Sequence, residues 1–198
     1  MPSTFRIPKA PLRGLTGRLI AAYCRRTFGE IPDVAHVAAH QPKVLRSVLS
    51  FEGKVAKWDA LDPTLKTYAQ LASAALIGCS WCLDFGYFKA RESGLDLSRI
   101  SQVPRWRDSD VFSDLERDVL EYAEAMTVTP PTVTDDLVAR LLEELGAPAV
   151  VELTEMIALE NMRSRANSAA GLQSQGFSDR CEIPLADAGG ATAIRSPS

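Results

Sequence analysis

The 198-residue sequence is short of most features that would assign it a class at a glance. No apolar run approaches the roughly 20 residues that a membrane-spanning helix requires, so no membrane association is expected. The start, Met1-Pro2-Ser3-Thr4-Phe5-Arg6-Ile7-Pro8-Lys9, lacks an apolar stretch of signal-peptide length, which argues against secretion and for a cytoplasmic protein. Basic residues number 22 against 25 acidic ones, for a net charge of −3, and no basic block occurs. Nucleic acid is therefore not an expected partner. No stretch alternates polar and apolar residues as a half-buried strand would, and no repeat has a fixed solenoid period. Only two histidines and four cysteines are present. In a reducing compartment these cysteines are not expected to form structural staples.

What is present is helical periodicity, and the fold class it implies is all-α. Residues 1–12 contain Pro2, Pro8 and Pro11 and read as an extended lead-in. Residues 13–178 read as one helical domain, and 179–198, rich in Gly, Ala, Ser and Pro, as a disordered tail. Leu15, Leu19, Ile20, Tyr23 and Phe28 recur at helical spacing and mark the expected buried face of a first helix. Val44, Leu45, Val48, Leu49 and Val55 do the same after Pro42.

Asp62-Pro63 is a helix start, with Asp as N-cap and Pro in the first turn. The small apolar face that follows, Leu65, Tyr68, Ala69, Ala72, Ala75 and Leu76, predicts a central helix in close contact with its neighbours. Gly78 weakens that helix just before Cys79, and a second helix is expected from about Cys79 to Glu92, stopped by Gly94. Ser113 and Glu116 have capping-box spacing. Thr134-Asp135-Asp136 opens a further helix that Gly146 ends, and Pro148 leads into a long one running to Gly171.

The sharpest chemical feature is Gly78-Cys79-Ser80-Trp81-Cys82. Two cysteines three apart share a helix face, so their sulfurs can close a small disulfide ring or share a metal. A thiol in the first turn of a helix meets unpaired backbone N–H groups and the positive end of the helix dipole, which favour the thiolate. His36 and His40 are spaced so that they could join the two thiols around zinc. Their order is reversed relative to zinc fingers, and a chain of this length does not need a metal to fold. Packing or capping is the expected role of the histidines, and no metal or cofactor is expected. Cys24 reads as a small buried hydrophobe and Cys181 as a bystander in the tail.

The segment Leu71-Ala72-Ser73-Ala74-Ala75-Leu76-Ile77-Gly78-Cys79-Ser80-Trp81-Cys82, continued by Lys89-Ala90-Arg91-Glu92-Ser93-Gly94-Leu95, resembles the carboxymuconolactone decarboxylase and alkylhydroperoxidase D-like superfamily. The resemblance is strongest over residues 61–95. It extends more loosely to Leu172, through Leu115-Glu116-Arg117 and Asn161-Met162-Arg163-Ser164-Arg165-Ala166-Asn167. It implies an AhpD-like helical bundle with a central helical hairpin carrying the Cys-x-x-Cys motif, assembled as a homo-oligomer. It also implies Cys82 as the peroxidatic and Cys79 as the resolving cysteine, with a small hydroperoxide as substrate and a dithiol as reductant. The peroxidase members carry a Glu twelve residues before the first cysteine and a His four after the second; here those positions are Thr67 and Gly86.

Two carboxylates are candidates for the missing proton relay. Glu160 lies in the polar run Glu160, Asn161, Arg163, Arg165 and Asn167, whose default reading is a solvated helix face and whose alternative is a polar strip facing the cysteine pocket or a subunit interface. Asp84 is the other, with solvation or pairing to Lys89 or Arg91 as its bland alternative. Trp81 either lines a pocket beside the thiols or packs in the core. The expected function is a thiol-dependent oxidoreductase reducing a hydroperoxide or disulfide. The alternatives are a non-catalytic helical oligomer, or a lyase or isomerase acting on a small organic acid without thiol chemistry.

Overall fold

The computed structural model describes residues 5–186, and among them there is no β-strand. Residues 5–13 are irregular, as expected of a proline-containing lead-in. The helices are α1 (Gly14–Phe28), α2 (Asp33–Ala38), α3 (Pro42–Val55), α4 (Pro63–Ile77), α5 (Ser80–Glu92), α6 (Leu97–Ile100), α7 (Asp114–Thr127) and α8 (Asp135–Ala170). Short 3-10 segments occupy Val103–Asp108, kinked at Arg105, and Ser178–Arg180.

Local chemistry sets most boundaries. Asp62 caps α4 by accepting the N–H groups of Thr64 and Leu65. Gly78, at φ 78°, ends α4 in the left-handed conformation that costs a residue with a side chain most. Ser113 and Glu116 form the reciprocal capping box of α7, and the Thr134 hydroxyl caps α8. Gly146 (φ 75°, ψ 160°) breaks the helical path of α8 just before Pro148. The expected two helices thus exist, joined through one non-helical residue.

The core is the packing of α4 against α7 and α8, and of α7 against α8, with α5 folded back on α4. Tyr68, Ala69 and Ala72 of α4, Val119 and Leu120 of α7, and Leu153 and Ile157 of α8 are all sealed from water. Burial of each large side chain contributes about 1.5–3 kcal/mol. The Pro63–Gly94 hairpin is therefore central, as its alanines imply. Leu76, in the last turn of α4, is exposed.

Two expected faces point the wrong way. On α1 the buried residues are Gly17, Ala21 and Cys24, while Leu15, Leu19 and Tyr23 are 76%, 62% and 63% exposed. The inner face of α1 uses small residues to lie close to its neighbour: a Cβ on Gly17 would stand 2.6 Å from the Leu12 carbonyl carbon. Large and small apolar residues form separate stripes on the helix, and periodicity reports the large one. On α3, Leu45 and Val55 are buried but Val44, Val48 and Leu49 are exposed.

The tail also departs from expectation where it is described. Through residue 186 it is held to the domain: the Tyr87 hydroxyl donates to the Ile183 carbonyl at 2.6 Å, and the Ala186 N–H to the Ser101 carbonyl at 2.9 Å. Cys181 and Leu185 pack against the core, so Cys181 is not detached. Residues 187–198 of the expected disordered segment lie outside the described residues.

Candidate functional site

The site begins at the turn between α4 and α5. Gly78 reverses the chain, the Cys79 N–H returns to the Ala74 carbonyl, and Cys79 becomes the N-cap of α5. Its Sγ accepts the Cys82 backbone N–H at 3.2 Å. Sulfur here does what a Ser or Asp oxygen usually does for a helix start. Cys79 and Cys82 are joined as a disulfide with their Cα atoms 5.3 Å apart. On the other side, Asn167 of α8 donates from Nδ2 to Cys82 Sγ at 3.4 Å. Each sulfur thus has an N–H donor that would favour its thiolate once reduced. Cys79 is 2% and Cys82 7% exposed.

Trp81 is buried beside them. Its Nε1 donates to the Gln175 side chain at 2.8 Å, and its ring stacks on Phe85 with centroids 5.0 Å apart. It packs as core within the cluster that holds both cysteines and Leu172. Gln175 ties three segments, since its Oε1 also accepts the Asp33 N–H and its amide donates to the Ile31 carbonyl.

Asp84 is neither solvated nor paired with Lys89 or Arg91. It is buried and accepts the backbone N–H groups of Gln175, Gly176, Phe177 and Ser178, together with the Ser178 hydroxyl. Burial alone would raise its carboxyl; the bonds from Ser178, Gln175 and Phe177 outweigh that and hold it below the usual Asp range. Such a carboxylate organises the loop after α8 and has little tendency to take up a proton. None of its hydrogen bonds goes to a cysteine.

Glu160 belongs to a polar stripe that the helix turns inward. Glu160, Ser164 and Asn167 are all buried, at the i, i+4, i+7 spacing of one helix face. The Ser164 hydroxyl donates to Glu160 Oε1 at 2.7 Å, and Arg163 reaches Glu160 at 3.4 Å while also pairing with Glu52. Burial pushes the Glu160 carboxyl up to about 7, against the lowering effect of Arg163 and Ser164. Its hydrogen bonds end on α8 itself, and the residue of this stripe that touches a sulfur is Asn167. The default reading of the polar run leaves Asn167 in solvent, and the structure turns it onto Cys82 instead. The inward face is signalled only by the spacing of 160, 164 and 167.

The two positions that differ from the peroxidase pattern have local occupations. The Thr67 hydroxyl donates to the Pro63 carbonyl of its own helix at 2.9 Å. A Cβ on Gly86 would stand 3.1 Å from Leu71 Cδ2, so a side chain here would need Leu71 to give way slightly. His36 and His40 bond to the backbone of the N-terminal segment, through the Ala10 and Pro8 carbonyls. Among the described residues, no three His, Cys, Asp or Glu side chains converge as metal ligands, and no helix is long and apolar enough to cross a membrane.

Comparison with known proteins agrees with this arrangement. Residues 42–125, which include α3, α4, α5 and most of α7, match the model of the carboxymuconolactone decarboxylase family. The chain is 37% identical to the uncharacterized protein YnjA of Escherichia coli over 161 residues, 81% of this chain and 87% of that one. Among solved structures, an alkylhydroperoxidase AhpD core, an uncharacterized peroxidase-related protein of Ralstonia eutropha, superposes with a TM-score of 0.76 at 17% identity. It covers 90% of this chain and 98% of its own. The debrominase Bmp8, as a Cys-to-Ala variant in complex with 2,3,4-tribromopyrrole, superposes with a TM-score of 0.75 at 16% identity, over 86% of this chain and 92% of its own. With its all-helical AhpD-like fold and its buried Cys-x-x-Cys hairpin, the chain belongs to the carboxymuconolactone decarboxylase and alkylhydroperoxidase D-like superfamily.

Proposed function

We propose that the protein is a thiol-dependent oxidoreductase that reduces a hydroperoxide or a disulfide through Cys79 and Cys82. The observation that carries this reading is the paired donor arrangement: a helix N-terminus on Cys79 Sγ and the Asn167 amide on Cys82 Sγ. Buried structural thiols do not need two aligned donors. In the peroxide reaction, the Cys82 thiolate attacks the terminal peroxide oxygen, the O–O bond breaks with the terminal O–H staying on sulfur, and the alkoxide takes a proton from solvent to leave as the alcohol. Cys82 is left as a sulfenic acid. The Cys79 thiolate then displaces water to form the disulfide, and a dithiol donor restores both thiols while becoming oxidised itself. A reducing cytoplasm would supply such a donor.

Within this reading, Asn167 takes over part of the role of the absent histidine by stabilising charge on Cys82, but an amide cannot deliver a proton. Glu160 titrates near neutral pH, but it lies two helical turns, about 10 Å of rise, from Asn167 and bonds to Arg163 and Ser164 of its own helix, so solvent is assigned the proton delivery at Cys82. Asp84 is assigned to structure. The exposed faces of α1 and α3 are assigned to a second copy of this chain, as the family resemblance implies. A monomer in light scattering at every concentration would remove that assignment.

The test is intact mass and free-thiol counting after hydroperoxide treatment. Wild type is expected to lose two thiols to an internal disulfide, reversibly and slowly. Cys82→Ser should not react at this site, and Cys79→Ser should accumulate sulfinic or sulfonic acid on Cys82. A wild type that stays reduced while an exposed model thiol oxidises would replace this reading with a non-catalytic helical protein. Identical behaviour of the two variants would reverse or erase the division of roles.

A further inference from the structure

Exchange with a dithiol requires a thiolate to approach one sulfur in line with the S–S bond. Both cysteines are buried, so in-line approach by a thiolate needs some element to move first. Besides Leu83 and Phe85 of α5 itself, the partly buried side chains packed on the cysteine cluster are Phe5 of the N-terminal segment and Val34 and Val37 of α2. Of these, segment 5–10 is the one outside any helix. It forms no helix or strand, and only Ala10 within it is buried.

Its attachment is almost wholly polar. The Arg6 N–H donates to the Ala170 carbonyl at 2.9 Å, and its guanidinium donates at 2.7 Å to the Ser168 carbonyl, which also accepts the Gly171 N–H of the helix cap. His40 Nε2 donates to the Pro8 carbonyl at 2.7 Å. His36 Nδ1 donates to the Ala10 carbonyl at 2.9 Å, and the Ala10 N–H returns to the His36 carbonyl at 3.1 Å. Lys9 pairs with Asp33 at 2.6 Å. Both histidines of the chain serve this one lacing. Bonds of this kind at a surface open locally far more often than the domain unfolds.

We propose that residues 5–10 are a strap that gates the Cys79–Cys82 disulfide, closed by His36, His40 and Arg6 and opened to admit a thiol. The proposal rests on the redox reading for its purpose but not for its test. When the strap lifts, a donor thiolate attacks Cys82 Sγ and Cys79 leaves as a thiolate at the α5 N-terminus. The second donor thiolate then closes the donor disulfide and releases Cys82, and the two donor protons end on the two cysteines. A gate alters how fast this happens in both directions and leaves the thiol–disulfide equilibrium where it was.

The experiment follows reduction of the oxidised full-length protein by dithiothreitol, with acid quench and thiol counting, and measures the equilibrium constant with the same reagent. In R6A/H40A, which removes two of the lacing contacts, reduction should be roughly tenfold or more faster, with the equilibrium unchanged. F5A, which keeps the hydrogen bonds of the lacing while removing the Phe5 ring that Lys9 covers at 4.7 Å, should also be faster, and it stands in if the double variant fails to fold by circular dichroism. An unchanged rate in the folded variants overturns the gate. A faster rate matched by an equal shift in equilibrium also overturns it, because the strap would then be stabilising one redox state. Dithiothreitol acts on any reachable disulfide, so the strap can be tested even in a protein that is inert to peroxide.

Discussion

Asp84 on α5 and Glu160 on α8 are both buried, yet they hold protons in opposite ways. Asp84 receives four backbone N–H groups and a hydroxyl, and its carboxyl is held low. Glu160 has one hydroxyl and a share of one guanidinium, and its carboxyl is pushed up to about 7. Burial penalises charge in both places; the number of donors decides whether the penalty is overcome. Nearness in sequence to the cysteines is therefore a poor guide to which carboxylate can exchange protons. Asp84, two residues from Cys82, is committed to structure, while the more distant Glu160 is free to titrate.

The largest effect that would break this comparison is on stability. Asp84→Asn leaves backbone N–H groups without a charged acceptor and replaces one carboxylate oxygen with a donor facing other donors. A loss of roughly 3–5 kcal/mol is expected in urea or thermal unfolding. A loss below about 1 kcal/mol would mean that Asp84 does not organise the 174–178 loop.

Glu160→Gln should act in the other direction and depend on pH. The native state keeps the Glu160 proton up to about 7, whereas the unfolded chain releases it near the ordinary Glu value. Between those values the native state binds more protons, so this group's contribution falls as pH rises and levels off above about 7. The variant should match wild type near pH 4 and exceed it at pH 8 by about 1–3 kcal/mol, discounted for the weakened Arg163 contact. A pH-independent difference would remove the raised carboxyl. The smallest effect isolates charge stabilisation: Asn167→Ala, which removes the donor to Cys82 Sγ, should slow Cys82 alkylation at neutral pH by roughly tenfold in a Cys79→Ser background. No change there would leave Cys82 without a side-chain activator.

The helical hairpin, the caps at Asp62, Ser113 and Thr134 and the break at Gly146 are legible in the sequence, because each is a contact between residues a few positions apart. The partners of Asp84 are not, since they lie 91 to 94 residues away. The Asn167 contact to Cys82 spans 85 residues; an inward polar strip is an open alternative in the sequence, but which residue of it meets a sulfur is not legible there. The inner face of α1 escapes for a different reason: a stripe of Gly17, Ala21 and Cys24 carries a weaker hydrophobic signal than the exposed Leu15, Leu19 and Tyr23 beside it. The cysteine pair itself is plain, as is the substitution of Thr67 and Gly86 for the acid and the base.

The contact between Gly86 and Leu71 also sets a condition on engineering the site. A Cβ on residue 86 would stand 3.1 Å from Leu71 Cδ2, closer than ordinary van der Waals contact, so the end of the Leu71 side chain must shift slightly to admit one. Leu71 belongs to the core, and overpacking there typically costs about 1–3 kcal/mol where the neighbours cannot give. A histidine at 86 is therefore a change in two places, the new side chain and the Leu71 rotamer that makes room for it.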